Sequence, residues 1–233
     1  MYKMKIYCDS ANIKQIRKSI NFYKVDGITT NPSLMRKDGV KNYQLHCRRI
    51  LKVIKNLPIS FEVFGDNISE IRRQALIISS WGKNVFVKIP ITNSRGLFMG
   101  KIISELNDKN IKLNITAVYT ARQTSKILKK INKKTKVIIS IFAGRMADVG
   151  KDPVPEFKKS IMFAKKFKNV EILWASTREP YNFLQARQLG CNIITSPLSI
   201  IEKVKKFGKS FNKLTTDTVK TFYKDGKKSK FKI

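Results

Sequence analysis

Apolar runs of strand character alternate with amphipathic helical patterns along most of the chain. The strand-like runs fall at residues 4–10, 27–31, 59–64, 85–89, 112–118, 136–142, 171–176 and 191–195. Between them, apolar positions three and four residues apart predict helices at 13–23, 42–56, 70–81, 97–106, 122–131, 156–167 and 181–189, and an eighth at 198–207 follows the last strand. Eight strand–helix units in one compact stretch predict an α/β fold, a single (β/α)8 barrel, with a doubly wound open sheet as the competing arrangement. No Pro/Gly/Ser-rich linker interrupts residues 1–208, which read as one barrel domain. A further helix at 216–223 lies outside the eightfold repeat, in a C-terminal segment 209–233 whose basic run from Lys224 to Lys232 reads as a solvated end.

Side chains of a strand alternate between two faces. In the fourth strand Val85, Val87 and Ile89 share one face, and Phe86 and Lys88 the other. The same alternation groups Tyr7 with Asp9, Thr29 with Asn31, Ser60 with Glu62, and Asn114 with Thr116. It also groups Ile138, Ser140 and Phe142, and then Ile172, Trp174, Ser176 and Arg178. In most of these strands the opposite face is apolar and suits packing beneath helices. The polar positions gather at the C-terminal ends, where barrels of this class open their active sites. Any one of them has a plain explanation, such as a hydrogen bond to a loop. The same layout in seven strands points to a polar cavity.

Lys88 gives that cavity a chemistry. A lysine turned into a barrel must be desolvated, which costs several kcal/mol unless compensated. An unperturbed amine with a pKa of about 10.4 is almost wholly protonated at neutral pH, and both desolvation and nearby cationic charge lower that value. A neutral lysine amine attacks carbonyl carbon, so the residue suggests Schiff-base chemistry. Glu62 and Asp9 open to the same mouth and could relay protons; they could equally lock Lys88 by ion pairing. Arg145 and Arg178 follow neighbouring strands, and two guanidiniums at a barrel mouth suit a phosphate or carboxylate. Together these residues suggest a phosphorylated carbonyl compound, a sugar phosphate.

Composition narrows the classes. Hydrophobic content is 42%, typical of globular chains, and no apolar stretch approaches the roughly 20 residues of a membrane span. The N-terminus runs straight into a strand without a signal-peptide pattern. Cys8, Cys47 and Cys191 are odd in number and widely spaced, which argues for buried small hydrophobes rather than a disulfide framework. With His46 as the single histidine, no metal-ligand cluster is legible. The expected compartment is the reducing cytoplasm. The net charge of +32, from 48 basic and 16 acidic residues, favours contact with polyanions. Lysines are nonetheless spread over nearly every helix, and no helix-turn-helix or RNA-binding signature is present, so only nonspecific, salt-sensitive attraction to nucleic acid is expected. A non-catalytic polyanion-binding barrel is the reading from another class.

Several motifs stand in a familiar order: Asp9-Ser10-Ala11-Asn12, Asp26-Gly27-Ile28-Thr29-Thr30-Asn31-Pro32-Ser33, Ser60-Phe61-Glu62-Val63, Val87-Lys88-Ile89-Pro90, Asn114-Ile115-Thr116-Ala117 and Ala175-Ser176-Thr177-Arg178. Over roughly residues 4 to 225 the chain resembles the transaldolase family, and within it the small transaldolases and fructose-6-phosphate aldolases. The resemblance implies a class I aldol mechanism. Lys88 would form the Schiff base, Asp9 would accept the C4-hydroxyl proton, and Glu62 and Thr116 would hold a catalytic water. Asn31 and Asn114 would position the dihydroxyacetone moiety; Thr29, Ser140, Phe142 and Ser176 would line the pocket; Arg145 and Arg178 would bind phosphate. Glu62 and Phe142 resemble the transferases, whereas the aldolases carry glutamine and tyrosine there. Ser10 stands where the family usually has threonine, and Trp174 where it has a small residue; an inward Trp174 would narrow the barrel floor. No metal or organic cofactor is implied. The C-terminal helix resembles a segment that contacts a neighbouring subunit, in a pentamer or decamer.

Overall fold

The computed structural model describes residues 3–230. Eight parallel strands run in sequential order and close into a barrel. They are β1 (Lys5–Asp9), β2 (Gly27–Thr29), β3 (Ile59–Glu62), β4 (Val85–Pro90), β5 (Leu113–Val118), β6 (Val137–Phe142), β7 (Val170–Ala175) and β8 (Ile193–Ser196). Closure is made by β8 returning to β1 from Lys5↔Ile193 to Cys8↔Ser196, which excludes the open sheet. The helices are α1 (Ile13–Tyr23), α2 (Pro32–Lys37), α3 (Tyr43–Ile54), α4 (Ile68–Ser79), α5 (Gly100–Asp108), α6 (Ala121–Leu128), α7 (Ala143–Ala147), α8 (Val154–Ala164), α9 (Tyr181–Leu189), α10 (Leu198–Val204) and α11 (Phe211–Ser229).

All eight strands and nine of these helices fall where the apolar pattern predicts, with ends differing by a few residues. Two short helices have no counterpart in that pattern. In α2, Pro32 occupies the first turn, where its missing N–H costs nothing, and the Asn31 side chain caps the start by accepting from the Leu34 N–H at 2.9 Å. The five-residue α7 begins directly where β6 ends. At the other extreme, α11 is longer than the predicted 216–223, and it absorbs most of the basic run read as a solvated end; residues 231–233 lie outside the described residues.

The barrel interior is filled by Tyr7, Phe86, Ile138, Leu173, Ala175 and Ile193. A larger cluster between barrel and helices takes the opposite faces, including Cys8, Phe61, Val87, Leu113, Ile139 and Ile172. Two-residue alternation therefore holds through β1 and β3 to β6. It holds in β7 as well, as far as Ala175. Trp174 points outward, stacked on Phe157 of α8 with centroids 4.6 Å apart, while Leu173 and Ala175 face in. Trp174 therefore does not narrow the barrel floor. Ser176, with φ +62, then turns the chain in the left-handed region and breaks the alternation. The cysteines are all free and buried, and burial pushes each thiol up to about 12, as expected for packing residues.

Among the described residues, no helix is long and apolar enough to cross a membrane. No residue of α11 is buried, and its Phe211, Phe222 and Tyr223 are exposed.

Candidate active site

At the C-terminal mouth of the barrel lies a cavity of about 250 Å³. Its walls hold nine of the predicted site residues: Asp9, Thr29, Asn31, Lys88, Ser140, Phe142, Arg145, Ser176 and Arg178. They come from strands or the segments just after them, so closure of the barrel alone brings them together. Three predicted residues are not on this wall but sit against it or behind it. Glu62 lines an adjoining cleft, Asn114 lies beneath, and the buried Thr116 follows it on the same strand.

Lys88 is 6% exposed. Register pairs it with Glu62 on β3 and Asn114 on β5. Its Nζ lies 3.0 Å from Glu62 Oε2 and donates to the Thr30 carbonyl oxygen at 3.0 Å. The ammonium therefore enters the barrel with one carboxylate and one carbonyl as partners, which offsets desolvation. Glu62 is itself mostly buried, so the pair is poorly screened.

Asp9 ends β1 on the same inward face as Tyr7. Thr29 Oγ1 donates to Asp9 Oδ1 at 2.8 Å and also contacts Thr195 Oγ1 at 2.5 Å. Burial pushes the Asp9 carboxyl above the usual carboxylate range. The Lys88 charge and the Thr29 hydrogen bond pull it down, and Glu62 pushes it up again. Beneath the cavity Ser140 Oγ donates to Asn114 Oδ1 at 2.7 Å, and Asn114 Nδ2 donates to Ser60 Oγ at 2.9 Å. This buried chain ties β3, β5 and β6 together and fixes which way the amide points. Thr116 Oγ1, by contrast, is buried with no hydrogen-bond partner among the described residues.

The rim is cationic. Arg178 makes a two-pronged contact with Asp148, with Nε at 3.1 Å from Oδ1 and Nη2 at 2.5 Å from Oδ2. That contact holds the Asp148 carboxyl below its ordinary range. The Arg145 guanidinium lies over the Phe142 ring, 5.1 Å from its centroid. Gly144 makes the rim possible: a Cβ there would meet the Ser176 carbonyl oxygen at 1.7 Å and the Arg178 side chain at 2.8 Å. Only glycine lets α7 come this close to the end of β7.

Sequence reasoning missed Thr195, Ser33, Leu34 and Lys37 on the wall, and Asp148 behind Arg178. Thr195 was within reach, since it is on the same face of β8 as the interior residue Ile193. The α2 residues carried no signal, because a six-residue helix shows no periodicity.

The fold and site define a (β/α)8 barrel with a buried lysine and two carboxylates below a cationic mouth. The chain belongs to the family described as Transaldolase/Fructose-6-phosphate aldolase, which it matches over residues 6–233. A probable transaldolase of Thermoplasma volcanium is 35% identical over 217 residues, covering 91% of this chain and 92% of that one. A probable transaldolase of Herpetosiphon aurantiacus is 30% identical over 223 residues, covering 95% and 94%. Among solved structures, the 3-hexulose-6-phosphate synthase of Salmonella typhimurium superposes with a TM-score of 0.57 at 10% identity, covering 87% of this chain and 97% of that one; the likeness is one of fold.

Proposed function

We propose that this protein is a transaldolase. It transfers a dihydroxyacetone unit from fructose 6-phosphate or sedoheptulose 7-phosphate to an aldose phosphate, as in the non-oxidative pentose phosphate pathway. The observation that carries the reading is the buried Lys88 amine, 3.0 Å from Glu62, in a cavity shared with Asp9 and rimmed by Arg145 and Arg178.

In this reading Glu62 takes a proton from the Lys88 ammonium, and the freed amine attacks the C2 carbonyl of the ketose phosphate. Loss of the carbinolamine hydroxyl as water gives the Schiff base, with Glu62 returning the proton, directly or through a water held with Thr116. The orphaned Thr116 hydroxyl supports that role, since a buried donor without a partner is costly unless something else satisfies it. Asp9 then accepts the C4-hydroxyl proton, the C3–C4 bond breaks, and its electrons pass into the iminium as an enamine. Glyceraldehyde 3-phosphate leaves. Attack of the enamine on the acceptor aldehyde and hydrolysis of the new Schiff base reverse these steps. Arg145 and Arg178 hold the phosphate, and Asn31 keeps its amide nitrogen for the substrate while its oxygen caps α2. Asn114 acts through Ser140, which it orients. No metal or organic cofactor enters the scheme.

We also propose that α11 packs against a neighbouring copy, in a ring such as a pentamer. The support is its exposed apolar side, with Phe211, Leu214 and Phe222 on one face.

Release of glyceraldehyde 3-phosphate from fructose 6-phosphate tests the function. Continuous release that requires erythrose 4-phosphate supports the transferase. Release without an acceptor would replace it with a fructose-6-phosphate aldolase. Borohydride reduction during turnover should leave a three-carbon adduct on Lys88, read by peptide mass; an unmodified Lys88 in an active enzyme would remove the Schiff base from the scheme.

A further inference from the structure

The end of the barrel opposite the active site carries charge that the reaction does not use. Inward positions at the starts of β1, β5 and β6 hold Lys5, Lys112 and Lys136, by alternation from Tyr7, Asn114 and Ile138. The N-terminal face of such a barrel ordinarily serves stability. Here it opposes itself. The Leu113↔Val137 register, with the Leu113 N–H bonded to the Lys136 carbonyl oxygen at 3.2 Å, sets Lys112 directly beside Lys136. Like charges at facing strand positions destabilise a sheet.

Glu171 is the acid that lines this mouth among the described residues, and Lys5 already holds it at 2.7 Å; Asp26, also near Tyr7, accepts from the Ile6 N–H at 2.8 Å. Among the described residues, Lys83, Lys112 and Lys136 make no ion pair. Lys112 is nonetheless held in place: Nζ donates to the Lys83 carbonyl oxygen at 2.6 Å and lies 5.8 Å from the centroid of the Phe86 ring. At the floor lies Tyr7, 1% exposed, its ring seated where a Cβ on Gly27 would come within 2.6 Å. Its hydroxyl makes no hydrogen bond among the described residues, and the residue lines the cavity that these lysines surround. That cavity is about 590 Å³ and adjoins a second of about 530 Å³, which shares Lys5, Lys136 and Glu171 and adds Lys168.

We propose that this N-terminal mouth binds a small anion with a linear di- or triphosphate chain, gripped by Lys83, Lys112 and Lys136 and met at the floor by the Tyr7 hydroxyl. The ligand supplies the negative charge that the lysines lack. Three ammoniums at the rim act as point charges, which suits phosphate oxygens better than a single planar carboxylate. A recessed hydroxyl in a concave mouth favours a short chain that enters the cavity over a duplex backbone lying across it. The site is independent of the transaldolase reading and lies at the far end of the barrel from Lys88.

Calorimetric titration with tripolyphosphate tests it, on the wild type, Lys112→Gln/Lys136→Gln, Tyr7→Phe and Arg145→Ala/Arg178→Ala. The double lysine variant should lose at least about tenfold in affinity, Tyr7→Phe severalfold, and the arginine variant little. The lysine variant should keep sugar-phosphate turnover, and without ligand it should melt at or above the wild-type temperature, because repulsion has been removed. Wild-type affinity in the lysine variant would overturn the proposal, as would loss confined to the arginine variant, which would place the anion at the catalytic mouth. ATP that binds as tightly as tripolyphosphate identifies the chain as the element recognised; displacement of either by duplex DNA at physiological salt would overturn the small-anion reading in favour of nucleic acid.

Discussion

Asp9 and Lys88 occupy one small volume, yet burial acts on them through different partners. Lys88 has a carboxylate and a carbonyl within 3.0 Å. Asp9 has a threonine hydroxyl, and desolvation dominates, so its carboxyl lies above the ordinary range. Its linkage to stability is therefore opposite in sign to that of an ion-paired surface carboxylate. A carboxyl whose folded pKa exceeds its unfolded value of about 3.9 favours folding fully below that value, and the benefit is lost as pH rises through the folded pKa. Asp9→Asn, neutral at every pH, should therefore gain stability over the wild type as pH rises above about 4; a difference flat with pH in urea unfolding would contradict this. The same substitution should cost about 10²–10⁴-fold in kcat, because the asparagine cannot accept the C4-hydroxyl proton. At this scale Lys88, Glu62 and Asp9 were legible because polar residues broke apolar strand runs. Thr195 and Lys37 were not, the first because β8 shows no polar break in its apolar run before its end, the second because α2 is too short to announce itself.

Among the elements, the turn after β7 decides the shape of the mouth. Alternation carried past the strand grouped Ser176 and Arg178 with Trp174 on one face. The strand sends Trp174 outward to Phe157, and left-handed Ser176 redirects the chain toward Arg178. Alternation reads a strand correctly only while every residue stays extended, and a single residue at positive φ resets it without any mark in hydropathy. The whole turn depends on Gly144, whose missing side chain leaves room for the Ser176 carbonyl. Gly144→Ala should force α7 and the β7 turn apart. Overpacking of this kind costs about 1–3 kcal/mol. The larger effect should be a raised KM for the phosphorylated ketose with a smaller change in kcat, since Arg178 moves and Lys88 does not. Steady-state kinetics with fructose 6-phosphate read the split, and an unchanged KM would show that the turn tolerates the methyl.

For the molecule as a whole, closure of the barrel was the inference the pattern constrained most, because eight repeats of one unit constrain each other. The C-terminal helix is a different matter. A 19-residue helix with no buried side chain gains little from packing, and isolated helices of this length are marginal in water. Its apolar side, with Phe211, Leu214 and Phe222, stays exposed among the described residues. Removing residues 209–233 should leave the barrel folded, with its melting transition still cooperative, and should lower the mass measured by light scattering. A truncated protein of unchanged mass would show that assembly does not depend on α11.

The outward placement of Trp174 also determines what light can report. The chain has two tryptophans. Trp174 is sealed beneath α8, and Trp81 sits among Tyr43 and Phe61 between helix and barrel. Neither lines the cavity around Lys88. Intrinsic emission is thus a gauge of the helical jacket: it should shift to the red when α8 loosens from β7, and stay nearly constant as sugar phosphates come and go.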